Sequence, residues 1–311
     1  METRVILGRS GLSVSPICYG SWQLSPRFWG DQPEDVMIAA MRRAFEVGVN
    51  FYDTADAYGD GLAETVLGKA LQPLPREQIV VATKAYHHFF PDGRRYPDLS
   101  RSYLLAECEA SLRRLQMDYL DLYQCHAYDP LTPPEDTVAA LETLKTQGKI
   151  RAYGVSNYTV EQLRLARSQG DFATLQPDYD LLNTHAEADL LPYCQQEDLG
   201  VLVYSPLHRG LLTGKFQGTE TFTDLRAKHP DFQGERFRDL AQRVASLGSL
   251  AEHYGLTITQ LVLAATLAHP AIQVAIVGIK TPEQITEAAG AMGIILDRED
   301  YYTVRRTLTG G

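Results

Sequence analysis

The sequence predicts a (β/α)8 TIM barrel with an N-terminal β-hairpin and two extra helices, an α/β fold. Three observations predict it. Eight short β-rich runs alternate with stretches of helical periodicity. No composition break or linker divides the 311 residues, and chemically capable side chains recur where the runs end. One domain spanning 1–311 is therefore expected.

The hairpin comes first: Arg4–Leu7 and Leu12–Ser15 alternate in polarity around Gly8, Arg9, Ser10 and Gly11, whose glycines tolerate positive φ. It falls outside the barrel count and is expected to plug the barrel's N-terminal end. The strand candidates follow at Pro16–Ser21, Asn50–Ala55, Ile79–Ala85, Tyr119–His126, Ile150–Asn157, Thr174–Asp180, Gly200–Pro206 and Val274–Ile279. Between them, Met37, Ala40, Met41, Ala44 and Phe45 form a helical stripe ended by Gly48. Leu104, Cys108, Leu112 and Leu115 form another, and Asp136 is expected to cap the helix carrying Leu141 and Leu144. The extra helices are expected at Ile258–Ala268 and Asp297–Leu308. Phe216–Arg238 is long, charged and poor in periodicity, which predicts a functional lid loop rather than disorder.

Composition narrows the function classes. The chain is 44% hydrophobic and 22% charged, close to globular averages, so disorder and collagen-like repeats are excluded. Twenty-nine basic against 39 acidic residues give a net charge of −10, which disfavours nucleic acid or an anionic membrane as partner. Cys18, Cys108, Cys125 and Cys194 are widely spaced with no CxxC pair. That argues against a disulfide framework or zinc site and fits a reducing cytoplasm. The start METRVILGRSG lacks the apolar core of a signal peptide, and no run reaches the ~18 apolar residues of a membrane span. The expectation is a soluble cytoplasmic protein; oligomeric state is not encoded in any pattern here.

In a barrel of this kind the chemistry gathers at the C-terminal strand ends. Here that edge supplies Asp53, Lys84, His126, Ser156, Asn157, Gln176, Tyr204, Ser205 and the run Gly278, Ile279, Lys280. Strand parity puts Lys84 on one face with Val80 and Ala82, and His126 with Leu120, Leu122 and Gln124. Each residue also has a plainer reading. His126 alone reads as a strand-end histidine satisfying a carbonyl, Asp53 as a turn cap and Tyr58 as loop packing. Lys84 ends the apolar run from Ile79, and a buried ammonium demands a partner. Taken as a set, the four compose a proton relay for carbonyl reduction. A tyrosine of unperturbed pKa ~10 is a poor acid at neutral pH. A lysine cation beside it is expected to lower that pKa, with a carboxylate holding the lysine charged. His126 is placed to orient a carbonyl and donate to its oxygen.

The chain resembles the aldo-keto reductases over nearly its whole length. The likeness is carried by Phe51–Gly59 (FYDTADAYG), Ala82–Lys84 (ATK), Asp118–His126 (DYLDLYQCH), Gly154–Asn157 (GVSN), Gln176 and Tyr204–Leu207 (YSPL) followed by Gly210–Lys215 (GLLTGK). The resemblance implies an NADPH-dependent reductase of aldehydes and ketones, with Tyr58 as general acid, Lys84 and Asp53 tuning it and His126 positioning the carbonyl. It implies that Ser156, Asn157 and Gln176 hold the nicotinamide carboxamide, that Tyr204 stacks on the ring, and that Ser205, Leu207, Gly210 and Leu211 contact the pyrophosphate. Further cofactor contacts are implied at Gly20, Ser21, Trp22, Asp53, Gly278, Lys280 and Gln284. Many family members carry an arginine where Gln284 stands, so NADH is the second cofactor reading beside NADPH.

Competing motifs are absent. There is no GxGxxG, Gly210–Lys215 is one residue short of a P-loop, and Gly154–Tyr158 misses the last glycine of a nucleophile elbow. His87 and His88 are adjacent rather than one helical turn apart, so two exposed loop histidines are expected and no metal. Trp22, Trp29 and Tyr86, with Phe28, Phe89 and Phe90, are candidates for an apolar substrate wall. Arg94 and Arg95 follow the turn signal Pro91, Asp92, Gly93, and a solvated loop tip is favoured over recognition of an anionic substrate. Cys125 has the opposite parity to His126 and is expected to be a buried small hydrophobe. Two other functions remain open: a Schiff-base lyase using Lys84, and a nicotinamide-nucleotide-binding regulatory subunit with little turnover.

Overall fold

A parallel eight-stranded sheet closes on itself in strict sequence order: Ile17–Gly20, Phe51–Asp53, Val80–Ala85, Leu120–Cys125, Ile150–Ser156, Thr174–Gln176, Gly200–Tyr204 and Val274–Gly278. The computed structural model describes residues 3–90 and 92–310, so Glu2 of the sequence start and Pro91 of the 91–93 turn lie outside it. All eight predicted strands are present. Residues of one parity fill the barrel: Cys18, Phe51, Val80, Ala82, Leu122, Leu202 and Val274 form the inner cluster. Residues of the other parity, such as Tyr52, Val81, Tyr123 and Val155, face the helix ring. The Tyr52 hydroxyl donates to the Met41 carbonyl at 3.1 Å, tying the second strand to the helix Glu34–Glu46.

The hairpin strands, Val5–Ile6 and Ser13–Val14, close the lower end as expected. Leu7, Leu12 and Val14 are buried within the inner cluster. At Gly8, φ is +47° and a Cβ would stand 2.0 Å from the Gly200 nitrogen, so only glycine lets the plug seat against the seventh strand.

The helix assignments need two corrections. Ile258–Leu267 packs in the ring against the eighth strand and the helix Pro282–Ala289, so it is a regular barrel helix. The supernumerary helices are Gly234–Ser246 and Arg298–Thr309, which pack on each other. Asp136 lies inside the first turn of the helix Pro134–Thr146, whose cap position is Pro133. The segment from Phe216 to Gln233 is ordered around its own aromatic nucleus. Phe222 packs edge-on against Phe216 and Phe232 at 5.3 and 5.2 Å, and Leu211, Phe237 and Leu240 complete the cluster.

Candidate active site

Register decides what meets at the barrel mouth. Asp53 pairs with Ala82, so Lys84 stands two residues higher on the third strand and its side chain leans back onto the second. Its ammonium donates to Asp53 Oδ1 at 2.6 Å and the Thr54 carbonyl at 2.8 Å, and reaches the Tyr58 hydroxyl at 3.5 Å. Gln176 Nε2 donates to the other Asp53 oxygen at 2.9 Å. Lys84 is fully buried and Asp53 nearly so. Burial pulls the Lys84 pKa down, but Asp53 and Tyr58 outweigh it and hold the ammonium charged. Burial raises the Asp53 pKa against the pull of Lys84; at 2.6 Å the charged pair is the form this geometry favours.

Tyr58 departs from expectation. Burial raises its pKa more than Lys84 lowers it, so the phenol stays protonated instead of being pushed toward phenolate. His126 packs edge-on against the Tyr58 ring at 5.7 Å. Burial, then repulsion from Lys84 and His87, drives its pKa well below the usual histidine value, so the imidazole is neutral. Its Nδ1 has no hydrogen-bond partner among the described residues.

A second network fixes the neighbouring wall. Ser156 Oγ donates to the Gln176 carbonyl at 2.8 Å, and Asn157 Nδ2 donates to the His126 carbonyl at 3.0 Å and to Ser156 Oγ at 3.1 Å. The Tyr204 hydroxyl donates to Asn157 Oδ1 at 2.8 Å. Asn157 and Ser205 hold φ of 58° and 61°, a left-handed conformation that asparagine adopts readily but that is costly for serine and common at functional sites.

These groups border one cavity of about 790 Å³, within the range of cofactor sites. Of the predicted residues, Gly20, Ser21, Trp22, Trp29, Asp53, Tyr58, His126, Ser156, Asn157 and Gln176 line it. So do Tyr204, Ser205, Leu207, Gly210, Gly278, Lys280 and Gln284. Lys84 sits behind Asp53 and Tyr58, outside the lining. Two predicted contacts do not belong to the lining. The Leu211 side chain packs into the Phe232 cluster, and Tyr86 packs against the helix-side core with its ring edge-on to His87 at 4.8 Å. Phe89 and Phe90 are not in the lining either, whereas Phe28 is.

Several lining residues were missed or misread. His87 and His88 are not on a loop: His87–Phe89 pairs with Arg95–Pro97 in a hairpin above the third strand, and His87 and Arg95 line the cavity. Lys215 and Arg226 line its far side with Lys280, and Arg209 also belongs to the lining. Arg209 and Lys215 lie in and beside the strings that carry the resemblance, but Arg226 has no sequence signal. Cys125 is buried, and burial pushes its thiol up to about 12.

The residues present fit a dinucleotide. Ser21 Oγ, Gln23 Oε1 and Trp29 Nε1 are buried at the cavity wall without partners among the described residues. Lys280 Nζ lies 5.1 Å from the Trp29 ring centre, and the Arg226 guanidinium lies 5.8 Å from it. Burial, then Arg226 and Lys280, lowers the Lys215 pKa, a crowding that bound anionic oxygens relieve. Gln284 spends its Oε1 on the Lys280 backbone N–H at 2.8 Å.

Fold and site define a (β/α)8-barrel protein with a buried Asp–Lys pair behind a tyrosine and a neutral histidine in a nucleotide-sized cavity. The family model described as the aldo/keto reductase family matches residues 16–308, and the chain belongs to that family. It is 36% identical over 303 residues to the aldo-keto reductase YhdN of Bacillus subtilis, covering 96% of this chain and 91% of that one. It is 33% identical over 316 residues to an NADH-specific methylglyoxal reductase of Escherichia coli, covering 97% of each. Among solved structures, a glycerol dehydrogenase of Gluconobacter oxydans superposes with a TM-score of 0.90 at 32% identity, covering 99% of this chain and 95% of that one. An aldo-keto reductase of Klebsiella pneumoniae in complex with NADPH gives 0.78 at 30% identity, with 99% and 96% covered. Membership makes carbonyl oxidoreduction the class of chemistry this site supports. No helix among the described residues is long and apolar enough to cross a membrane.

Proposed function

We propose that this protein reduces the carbonyl group of a small aldehyde or ketone, with Tyr58 as general acid and NADPH as preferred reductant. The observation that carries the reading is the fully buried Lys84 ammonium, fixed by Asp53 and aimed at the Tyr58 hydroxyl beside a neutral His126. A reduced nicotinamide nucleotide, when bound, supplies the hydride to the carbonyl carbon. Neutral His126 donates to the carbonyl oxygen and sets its direction. As negative charge builds on that oxygen, Tyr58 transfers its proton to it, giving the alcohol. Lys84 stabilises the phenolate left behind, and Asp53 keeps Lys84 charged; Tyr58 then regains a proton from water.

Ser156, Asn157 and Gln176 would hold the carboxamide, and Tyr204 would face the nicotinamide ring. Lys215, Arg226 and Lys280 favour the extra phosphate of NADPH. The NADH-specific relative, together with a Gln284 occupied by the Lys280 backbone, keeps NADH as the second reading. Lys84 is a poor imine-forming group: it is fully buried, and three oxygens surround its ammonium. Four free, buried cysteines agree with a reducing cytoplasm as its place of action.

Parallel fluorescence titrations with NADPH and NADH test the cofactor reading. NADPH should bind at least tenfold tighter, and Arg226→Gln should narrow that gap. Equal affinities would make the enzyme dual-specific, and binding of neither would overturn the proposal.

A further inference from the structure

We propose that Arg95 is a specificity-determining residue that reads an anionic group, a carboxylate or a phosphate, on the carbonyl substrate. The inference deepens the reductase reading and rests on it.

The hairpin above the third strand separates two adjacent arginines by parity. His87 and Arg95 share the face turned to the cavity, whereas His88 lies between Phe90 and Tyr103, stacked on both at 4.9 and 4.8 Å. Arg94 points away: its side chain is 78% exposed, paired with Asp92, and absent from the cavity lining. The hairpin is anchored, because the Tyr103 hydroxyl donates to the His87 carbonyl and His88 Nδ1 meets Asp98 at 2.9 Å. Arg95 is thus presented by a braced element rather than a loop tip.

Its position is at the carbonyl end of the cavity. The His87 ring stands 6.4 Å from the His126 ring, and Trp22 packs on Tyr58 at 6.5 Å. Burial, then Arg95, lowers the His87 pKa, so His87 offers a neutral polar edge beside the guanidinium. Lys215, Arg226 and Lys280 instead gather around Trp29 and Phe216, whereas Arg95 lines the cavity on the side of His87 and His126.

The guanidinium is held but not used up. Its Cζ lies 5.2 Å from the Phe89 ring centre, and a single nitrogen meets Asp60 Oδ1 at 3.2 Å. Asp60 is 65% exposed, and such a pair contributes little and exchanges readily. An incoming carboxylate or phosphate offers two oxygens to the remaining donors, a stronger arrangement than the single contact it replaces.

The test compares charge-matched substrates: para-carboxybenzaldehyde against benzaldehyde, and glyceraldehyde phosphate against glyceraldehyde. The unmodified enzyme should show a lower KM for the anionic member of at least one pair, and the responding pair identifies the anion. Arg95→Gln should raise that KM about 10- to 100-fold while leaving the neutral partner's KM and both kcat values nearly unchanged. Arg95→Lys should restore part of the preference, and Asp60→Asn should lower the anionic KM. If Arg95→Gln affects both members equally, Arg95 is a structural strut and the inference fails alone. It also fails alone if the neutral aldehydes are reduced with no anionic preference. If no aldehyde of either kind is reduced, the reductase reading fails and this inference with it.

Discussion

Replacing Lys84 by Met while leaving Asp53 in place isolates a carboxylate that is 2% exposed and keeps only its bond from Gln176. At 2.6 Å the lost attraction is about 6 kcal/mol for an effective dielectric of about 20. Breaking a buried pair from one side destabilises by roughly 3–5 kcal/mol, because the survivor stays buried and unpaired. For a chain of this size that lowers Tm by roughly 5–10 °C. The loss should ease as pH falls and Asp53 takes up a proton. The double variant Lys84→Met/Asp53→Asn removes both charges and leaves Gln176 an amide oxygen to donate to, so most of the lost Tm should return. Turnover should not return, since nothing then stabilises the Tyr58 phenolate. Thermal unfolding of the four proteins, alongside single-turnover rates, completes the cycle. A double variant that recovers turnover would refute the assignment of Lys84, and an unchanged Tm in Lys84→Met would refute the coupled pair.

Two pH responses follow from the same electrostatics. Because burial raises the Tyr58 pKa, the acid form persists through neutral pH. The reduction rate should stay flat there and fall only as pH rises through a value above ~10; a descending limb near neutrality would contradict this. Beyond Ser205, His208 is clamped between Asp180 at 2.7 Å and Asp231 at 2.9 Å. Burial lowers its pKa but the two carboxylates outweigh it, so the folded value is raised. That stabilisation is fully present below ~6.5 and is lost as pH rises through the raised folded value. The Tm deficit of His208→Asn, a residue that tolerates the φ of 45° there, should therefore be largest in mild acid and shrink in alkali. A deficit that grows with pH would contradict the clamp.

The barrel was legible because its signal repeats. Alternating parity in Val80, Ala82 and Lys84, or in Leu122, Gln124 and His126, reports a single buried face, and the mouth residues follow from where each run stops. The hairpin at 87–97 escaped because its strands are three residues each and rich in histidine, arginine and aromatics, without an aliphatic stripe. Arg95 then read as a loop-tip residue, though its strand presents it, still exposed, at the rim of the cavity. Arg226 was invisible for another reason: it reaches the cavity from a segment ordered by phenylalanine packing, which leaves no periodic trace. The direction of the Tyr58 shift was misjudged because proximity of Lys84 is readable from strand order, whereas burial of the phenol is not. The apolar run at 258–267 gave the correct helix but not its place in the ring, which depends on long-range packing.

The central claim is that Tyr58 protonates a carbonyl as nicotinamide nucleotide is consumed. Single-turnover absorbance of wild type and Tyr58→Phe, each mixed with NADPH and then an aldehyde, tests it most directly. The account predicts that both proteins bind the nucleotide with similar affinity. Wild type should convert it in step with alcohol formation, and Tyr58→Phe should be slower by about 10²- to 10⁴-fold. Equal rates in the two proteins, or no consumption by wild type, would contradict it.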